Sequence, residues 1–197
     1  LGFVAGFTGD ELCRLCAEAG VEADFIRVAE GMTRINVKVK SAEETELNGM
    51  GPKIADKDLE VLLAKLDALG DGDTLVISGS VPAMLPHDMY ERIMARLEGR
   101  GVCIVVDAEK DLLTRVLRYR PFLVKPNNHE LGDIFGVTLR TRDEVVPYAK
   151  RLQGLGAANV LVSMAGEGGV LVDETGAVHQ SPAAKGTVVN SVGAGDS

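Results

Sequence analysis

The richest chemistry in the sequence lies in Asn190-Ser191-Val192-Gly193-Ala194-Gly195-Asp196. Gly193 and Gly195 around Ala194 let successive backbone N–H groups turn toward one point, and a helix that followed would add its positive end to the same field. Such a nest suits a phosphoryl group in transfer. Asp196 in the same loop can take the proton of an attacking hydroxyl; the same residues also make a Gly-rich turn with Asp as a helix N-cap. Farther up the chain, Asn127 and Glu130 stand three residues apart in Lys125-Pro126-Asn127-Asn128-His129-Glu130. One amide oxygen and one carboxylate suit a magnesium ion held largely through water, and they equally suit a helix start with Glu in its first turn. Lys125 can meet phosphate charge or simply end a strand. Ser163-Met164-Ala165-Gly166-Glu167-Gly168 has the composition of a phosphate-cradling loop or of a hairpin turn. Arg34 offers a bidentate grip on phosphate, or is a solvated strand arginine. Ser80 can hydrogen-bond a sugar hydroxyl or make a turn. His87, His129 and His179 have no metal-ligand spacing. Neither G-x-x-x-x-G-K-[ST] nor G-x-G-x-x-G occurs, so a nucleotide site here must be of another kind.

Strands and helices must position these loops. Apolar runs predict strands at 2–7, 23–28, Thr74–Ser78, 102–107, 122–125, Asn159–Ser163, 170–173 and Val178–Ser181. Helical spacing predicts helices over 11–19, with Gly20 as C-cap, and over 56–69, 87–98, 112–118, Asn128–Phe135 and 142–155. Apolar strands alternating with amphipathic helices imply a mainly parallel sheet covered on both faces. In such a sheet ligands gather beyond the carboxyl ends of strands, and the loops after 78, 125 and 163, with the terminal Gly-rich segment, can converge there. Residues 33–40, TRINVKVK, alternate instead: Ile35, Val37 and Val39 one way, Arg34, Asn36, Lys38 and Lys40 the other. With a polar turn at 41–45 and a return at 46–48, residues 22–51 read as a small β-sheet apart from the core formed by 1–21 and 52–197.

The chain has 197 residues, 46% hydrophobic and 25% charged, enough for one α/β domain with a sizeable core. A net charge of −8 without a local basic run argues against nucleic-acid or anionic-membrane surfaces. No apolar stretch approaches the roughly 20 residues of a membrane helix, and no secretory signal is visible. Cys13, Cys16 and Cys103 are few and odd in number, which suggests a reducing, cytoplasmic compartment. The C-x-x-C spacing of Cys13 and Cys16 reads as two small apolar residues on one helix face, and Cys103 as core. The chain opens without Met and stops where a helix should begin, so it reads as cut at both ends.

Taken together, the pieces resemble the PfkB (ribokinase-like) carbohydrate kinases. Asn190–Asp196 as a run resembles that family's G-A-G-D signature, Ser78-Gly79-Ser80-Val81-Pro82 its S-G-S-L-P loop, and Lys125-Pro126-Asn127 with Glu130 its K-P-N-x-x-E motif. Within the family, TRINVKVK with Thr45-Glu46-Leu47-Asn48 is most similar to the phosphofructokinases that act on a 1-phosphate, with tagatose-6-phosphate kinases close by. The resemblance implies a ribokinase-like fold in which 22–51 form a β lid over the sugar. It implies ATP and Mg²⁺ as cofactors, Asp196 as catalytic base and the Gly193, Ala194 and Gly195 amides as anion hole. It also implies that Arg34 meets the sugar phosphate, that Asn36 and Ser80 lie near the sugar, and that Lys125 and the Ser163, Met164, Ala165, Gly166, Glu167 and Gly168 loop line the ATP side. Asn127 and Glu130 would hold the metal. A homodimer through the lid edge is in keeping with the family. Two departures stand out: Ala165 replaces the first Gly of the family's S-x-G-x-x-G loop, and the N-terminal G-G-K-G-x-N motif is absent. A non-catalytic nucleotide- or sugar-phosphate-binding module is the reading from a different class.

Overall fold

In the computed structural model all residues are described except 41–43, 80, 83, 84, 109 and 187–197. The chain divides into two units, residues 1–68 with 81–87, and residues 69–80 with 88–197.

The first unit begins with β1 (Gly2–Val4), α1 (Gly6–Glu18) and β2 (Phe25–Arg27), and β1 and β2 pair in parallel. The sequence pattern predicts a turn at Thr8-Gly9-Asp10 and a helix from Glu11; the structure starts the helix at Gly6 instead. Residues distant in sequence bring this about. The Thr33 hydroxyl accepts the Ala5 N–H at 3.0 Å, the Thr33 N–H donates to the Ala5 carbonyl at 2.9 Å, and the Thr8 hydroxyl donates to the Thr33 carbonyl at 2.8 Å. Thr33 therefore anchors the helix start through both backbone groups of Ala5 and the Thr8 side chain, without capping the first-turn N–H groups. Gly9 is there for closeness rather than for a turn, since a Cβ would stand 3.0 Å from Val4 Cβ and from the Thr33 hydroxyl.

β3 (Asn36–Lys40) and β4 (Glu44–Asn48) form a separate antiparallel ribbon, with Val37 opposite Leu47. α2 (Asp56–Leu66) buries Leu59, Leu63 and Leu66, at helical spacing, and packs on β2. Asp56 and Asp58 in its first turn and Lys65 in its last suit the helix dipole.

The second unit holds the large sheet. β5 (Thr74–Ser78), α3 (Met89–Leu97), β6 (Cys103–Asp107), α4 (Lys110–Val116), β7 (Leu123–Val124), α5 (Asn128–Phe135), α6 (Arg142–Gly154), β8 (Asn159–Ser163), β9 (Gly169–Val172) and β10 (Val178–Ser181) follow in order. Six strands lie side by side as β10-β9-β8-β7-β6-β5. β5 to β8 run parallel through helical crossovers, whereas β9 and β10 return antiparallel as a hairpin. The α/β expectation of a mainly parallel sheet flanked by helices is met.

The core explains the order. Val124, Val160, Val162, Val170 and Val172 are fully buried along β7, β8 and β9. α6 lays Val145, Ala149 and Leu152 on β8 and β9. Each such Val or Leu contributes about 1.5–3 kcal/mol on burial. α6 starts where Thr141 and Glu144 cap each other's backbone, the Thr141 hydroxyl accepting the Glu144 N–H at 3.3 Å and Glu144 Oε2 accepting the Thr141 N–H at 3.2 Å. Cys13, Cys16 and Cys103 are half-buried and unbridged, so Cys103 is less deeply placed than a core residue. No helix among the described residues is long and apolar enough to cross a membrane.

Candidate active site

Parallel pairing in register puts the ends of β5 to β8 side by side. Ser78 stands opposite Asp107, and a single bridge joins Asn127 to Ser163. The strand ladder continues past the strand ends: the Gly79 N–H donates to the Asp107 carbonyl at 3.2 Å, Lys125 N–H to the Val106 carbonyl at 3.0 Å, and Ser163 N–H to the Pro126 carbonyl at 3.1 Å. Ser78, Gly79, Asp107, Lys125, Asn127 and Ser163 thus form one row along the carboxyl edge, the place where parallel sheets bind ligands.

Charge is concentrated in the middle of this row. Lys125 Nζ meets Asp107 Oδ2 at 2.9 Å, and each side chain keeps only 24% of its surface exposed. Partial burial makes such a pair stronger than a surface pair, and makes loss of either partner costly. Asp107 escaped the sequence reading, although the rule of inspecting each strand end covers it: it is the last residue of β6.

Asn127 and Glu130 are brought together as a capping box. Asn127 Oδ1 accepts the His129 and Glu130 N–H groups, both at 2.9 Å, and Glu130 Oε2 accepts the Asn127 N–H at 2.8 Å. The helix-start reading of these residues is therefore realised. It also preorganises them, since an amide and a carboxylate are held on one turn at the sheet edge. Among the described residues no group of three or more His, Cys, Asp or Glu could hold a metal. Asn127 Oδ1 already accepts two N–H groups, so the pair suits a magnesium ion held largely through water, with its direct contacts to phosphates.

After β8 the chain makes a 3₁₀ turn, Ala165–Glu167, closed by the Met164 N–H donating to the Gly168 carbonyl at 2.8 Å. Ala165 has φ +46°, in the left-handed region where a Cβ is unfavourable. A glycine would adopt this conformation freely, and this chain holds it with alanine. Gly168 has φ +91°, and a Cβ there would run into the Ser181 carbonyl of β10.

Tyr90, on α3, is a second residue that sequence reasoning missed. It is buried, and its hydroxyl donates to the Gly79 carbonyl at 2.7 Å. Burial, with the Asp107 charge as the lesser cause, pushes its phenol up to about 12. No sequence signal marks it, because the contact exists only once α3 lies beside β5.

In the other unit Arg34 and Asn36 are exposed, Arg34 just before β3 and Asn36 at its first position, opposite Asn48. The apolar side of the alternating segment is open as well, with Ile35 and Leu47 each 61% exposed and Val37 45%. Ser80 and the Gly193, Ala194, Gly195 and Asp196 loop lie outside the described residues. A hollow of about 540 Å³ lined by Arg118, Arg120, Gln153 and Glu174, among others, sits at the amino ends of β7 and β8, away from this row.

A mainly parallel sheet whose carboxyl edge carries Asp107, Lys125, Asn127 and Glu130, followed by a glycine-bearing turn after β8, places the chain among the α/β proteins with polar groups gathered at the strand ends. The chain belongs to the pfkB family of carbohydrate kinases, whose family model matches residues 1–197, and its fold is ribokinase-like. It is 45% identical over 197 residues to the 1-phosphofructokinase of Bacillus subtilis (strain 168), covering 100% of this chain and 64% of that protein. It is 33% identical over 197 residues to the D-tagatose-1-phosphate kinase of Bacillus licheniformis, with 100% and 64% coverage. The crystal structure of phosphofructokinase-2 from Escherichia coli in complex with substrates and products superposes with a TM-score of 0.86 at 26% identity, covering 98% of this chain and 64% of that one. The chain thus spans about two thirds of the length of these relatives.

Proposed function

We propose that the protein carrying this chain transfers the γ-phosphoryl group of ATP to the C6 hydroxyl of fructose 1-phosphate, giving fructose 1,6-bisphosphate. The observation that carries the reading is the 45% identity along the whole chain to a 1-phosphofructokinase. The Asp107, Lys125, Asn127 and Ser163 row at the sheet edge supports it.

In this reading Asp196 orients the C6 hydroxyl and takes its proton late, because phosphoryl transfer is loose and the base mainly positions the nucleophile. The Gly193, Ala194, Gly195 and Asp196 amides face the moving phosphoryl charge. Lys125 and the Ser163–Gly168 turn take the ATP side, and Lys125 is held toward its task by Asp107. Asn127 and Glu130 hold magnesium, which when bound supplies positive charge across the nucleotide phosphates. Arg34 grips the phosphate on C1 while Asn36 and Ser80 meet sugar hydroxyls, and the β3–β4 ribbon excludes water. The protein works in the cytoplasm and pairs with a second copy through this ribbon.

A second reading, D-tagatose 1-phosphate as substrate, is favoured by the relative of that activity. It replaces the 6-phosphate alternative with a sugar that also carries its phosphate on C1. An ADP-release assay on the full-length protein with ATP and Mg²⁺ separates the readings. Preference for fructose 1-phosphate is expected; preference for tagatose 1-phosphate installs the second reading, and inertness on both moves a binding module ahead. Asp196→Asn in the full-length protein keeps the far-UV circular dichroism spectrum and loses about three to five orders of magnitude in kcat. Turnover near the parent's would remove Asp196 from the chemistry.

A further inference from the structure

We propose that Tyr90 is a positioning residue for the sugar-phosphate side of the site, holding the turn after β5 through the hydrogen bond from its hydroxyl to the Gly79 carbonyl. The proposal rests on the kinase reading above. Tyr90 is the second residue of α3 and belongs to its buried face with Met89, Ile93, Met94 and Leu97. Only 7% of its surface is exposed, so it is not placed to touch a substrate. Its single polar atom reaches Gly79, at 2.7 Å.

Gly79 is held from two directions. Its N–H donates to the Asp107 carbonyl of β6, and its carbonyl accepts from Tyr90. β5 is the last strand of the large sheet on this side, and its central Val76 is 60% exposed. Among the described residues the sheet holds the end of β5 from β6, and α3 adds a second tie. Gly79 has φ +91°, outside the extended range of the strand it follows, and its carbonyl takes the Tyr90 hydroxyl. A phenol is suited to this contact: it reaches across a buried interface with few rotatable bonds and donates a proton over the whole range in which a kinase works. The Asp107 that takes the Gly79 N–H also pairs with Lys125, so Tyr90, Gly79, Asp107 and Lys125 form one chain of contacts across the ends of β5, β6 and β7. Tyr90 stands at the β5 end of that chain and Lys125 at the β7 end. Removing the phenol hydroxyl loosens the β5 turn, on the sugar side, and leaves the Lys125 end paired.

The test is Tyr90→Phe in the full-length protein, which keeps the ring and removes only the hydroxyl. The KM for fructose 1-phosphate is expected to rise about tenfold while the KM for ATP stays within about twofold, the pattern of a lost sugar-side constraint. Hydrogen exchange of the peptide spanning residues 78–82 is expected to quicken at least about fivefold, with β6 unchanged. An unmoved KM for the sugar phosphate, equal rises in both KM values, or unaltered exchange across 78–82 overturns the proposal while the parent remains an active kinase. A parent inert on every sugar phosphate overturns the kinase reading and this proposal with it.

Discussion

Ala165 holds a conformation that its own side chain disfavours. Its φ of +46° is a conformation that glycine adopts freely and alanine does not, at a cost of about 1 kcal/mol. Ala165→Gly is expected to raise stability by about 0.5–1 kcal/mol, less than the full strain because glycine loses more freedom on folding. Thermal unfolding of the two proteins checks this, and a lower midpoint for the glycine variant would show that the turn is not strained. Asp107 teaches a different lesson. An aspartate at a strand end is visible in sequence, but its pairing with Lys125 at 2.9 Å depends on β6 and β7 being neighbours in register. Periodicity alone does not rank one strand-end carboxylate above another.

At the level of elements, α5 does two jobs with one motif. Asn127 caps it through two backbone N–H groups and is also the proposed magnesium ligand. The jobs separate by substitution. Asn127→Ser keeps a capping hydroxyl, so stability should change by a few tenths of a kcal/mol, while the Mg²⁺ concentration for half-maximal activity rises about tenfold. Asn127→Ala loses the cap too, at about 1 kcal/mol. Equal magnesium titrations for parent and serine variant would remove Asn127 from the metal site.

The β9–β10 hairpin carries a pH dependence. The Asp173 carboxylate accepts from the Thr175 hydroxyl at 2.6 Å and lies 2.7 Å from His179 Nε2; these contacts, Thr175 first, hold its pKa far below the ordinary 3.8. A carboxyl depressed on folding stabilises the native state above its unfolded pKa, and that contribution is lost as pH falls from there toward the depressed value. The melting-temperature difference between the parent and Asp173→Asn should shrink as pH falls from about 5 past 3.8 toward the depressed value. A gap that widens on acidification would contradict the assignment.

On the scale of the whole molecule, the β3–β4 ribbon and the residue just before it carry several apolar side chains open to solvent. Ile35, Val37 and Leu47 open one face to solvent, and Val37 sits directly opposite Leu47. A two-stranded ribbon is marginal by itself and presents edges that pair readily. The expected outcome is that full-length protein elutes as a dimer in light scattering, and that Val37→Glu with Leu47→Glu yields a monomer of unchanged secondary structure. A parent that is monomeric at micromolar concentration would remove the ribbon from assembly. The net charge of −8 does not favour polyanionic partners.

The element types along the large sheet follow from sequence alone. Thr74–Ser78, Asn159–Ser163 and Val178–Ser181 as strands, and Asn128–Phe135 as a helix, are legible because short apolar runs between turn residues and a capping pair are local signals. The motif order, and with it the family, is likewise one-dimensional information. The start of α1 is not, since a threonine 28 residues from Ala5 anchors it. Nor are the antiparallel return of β9, the Asp107–Lys125 pair or the Tyr90 tie to Gly79. Those are decided by which elements become neighbours, and a hydrogen bond or ion pair between residues far apart in sequence has no local pattern to announce it.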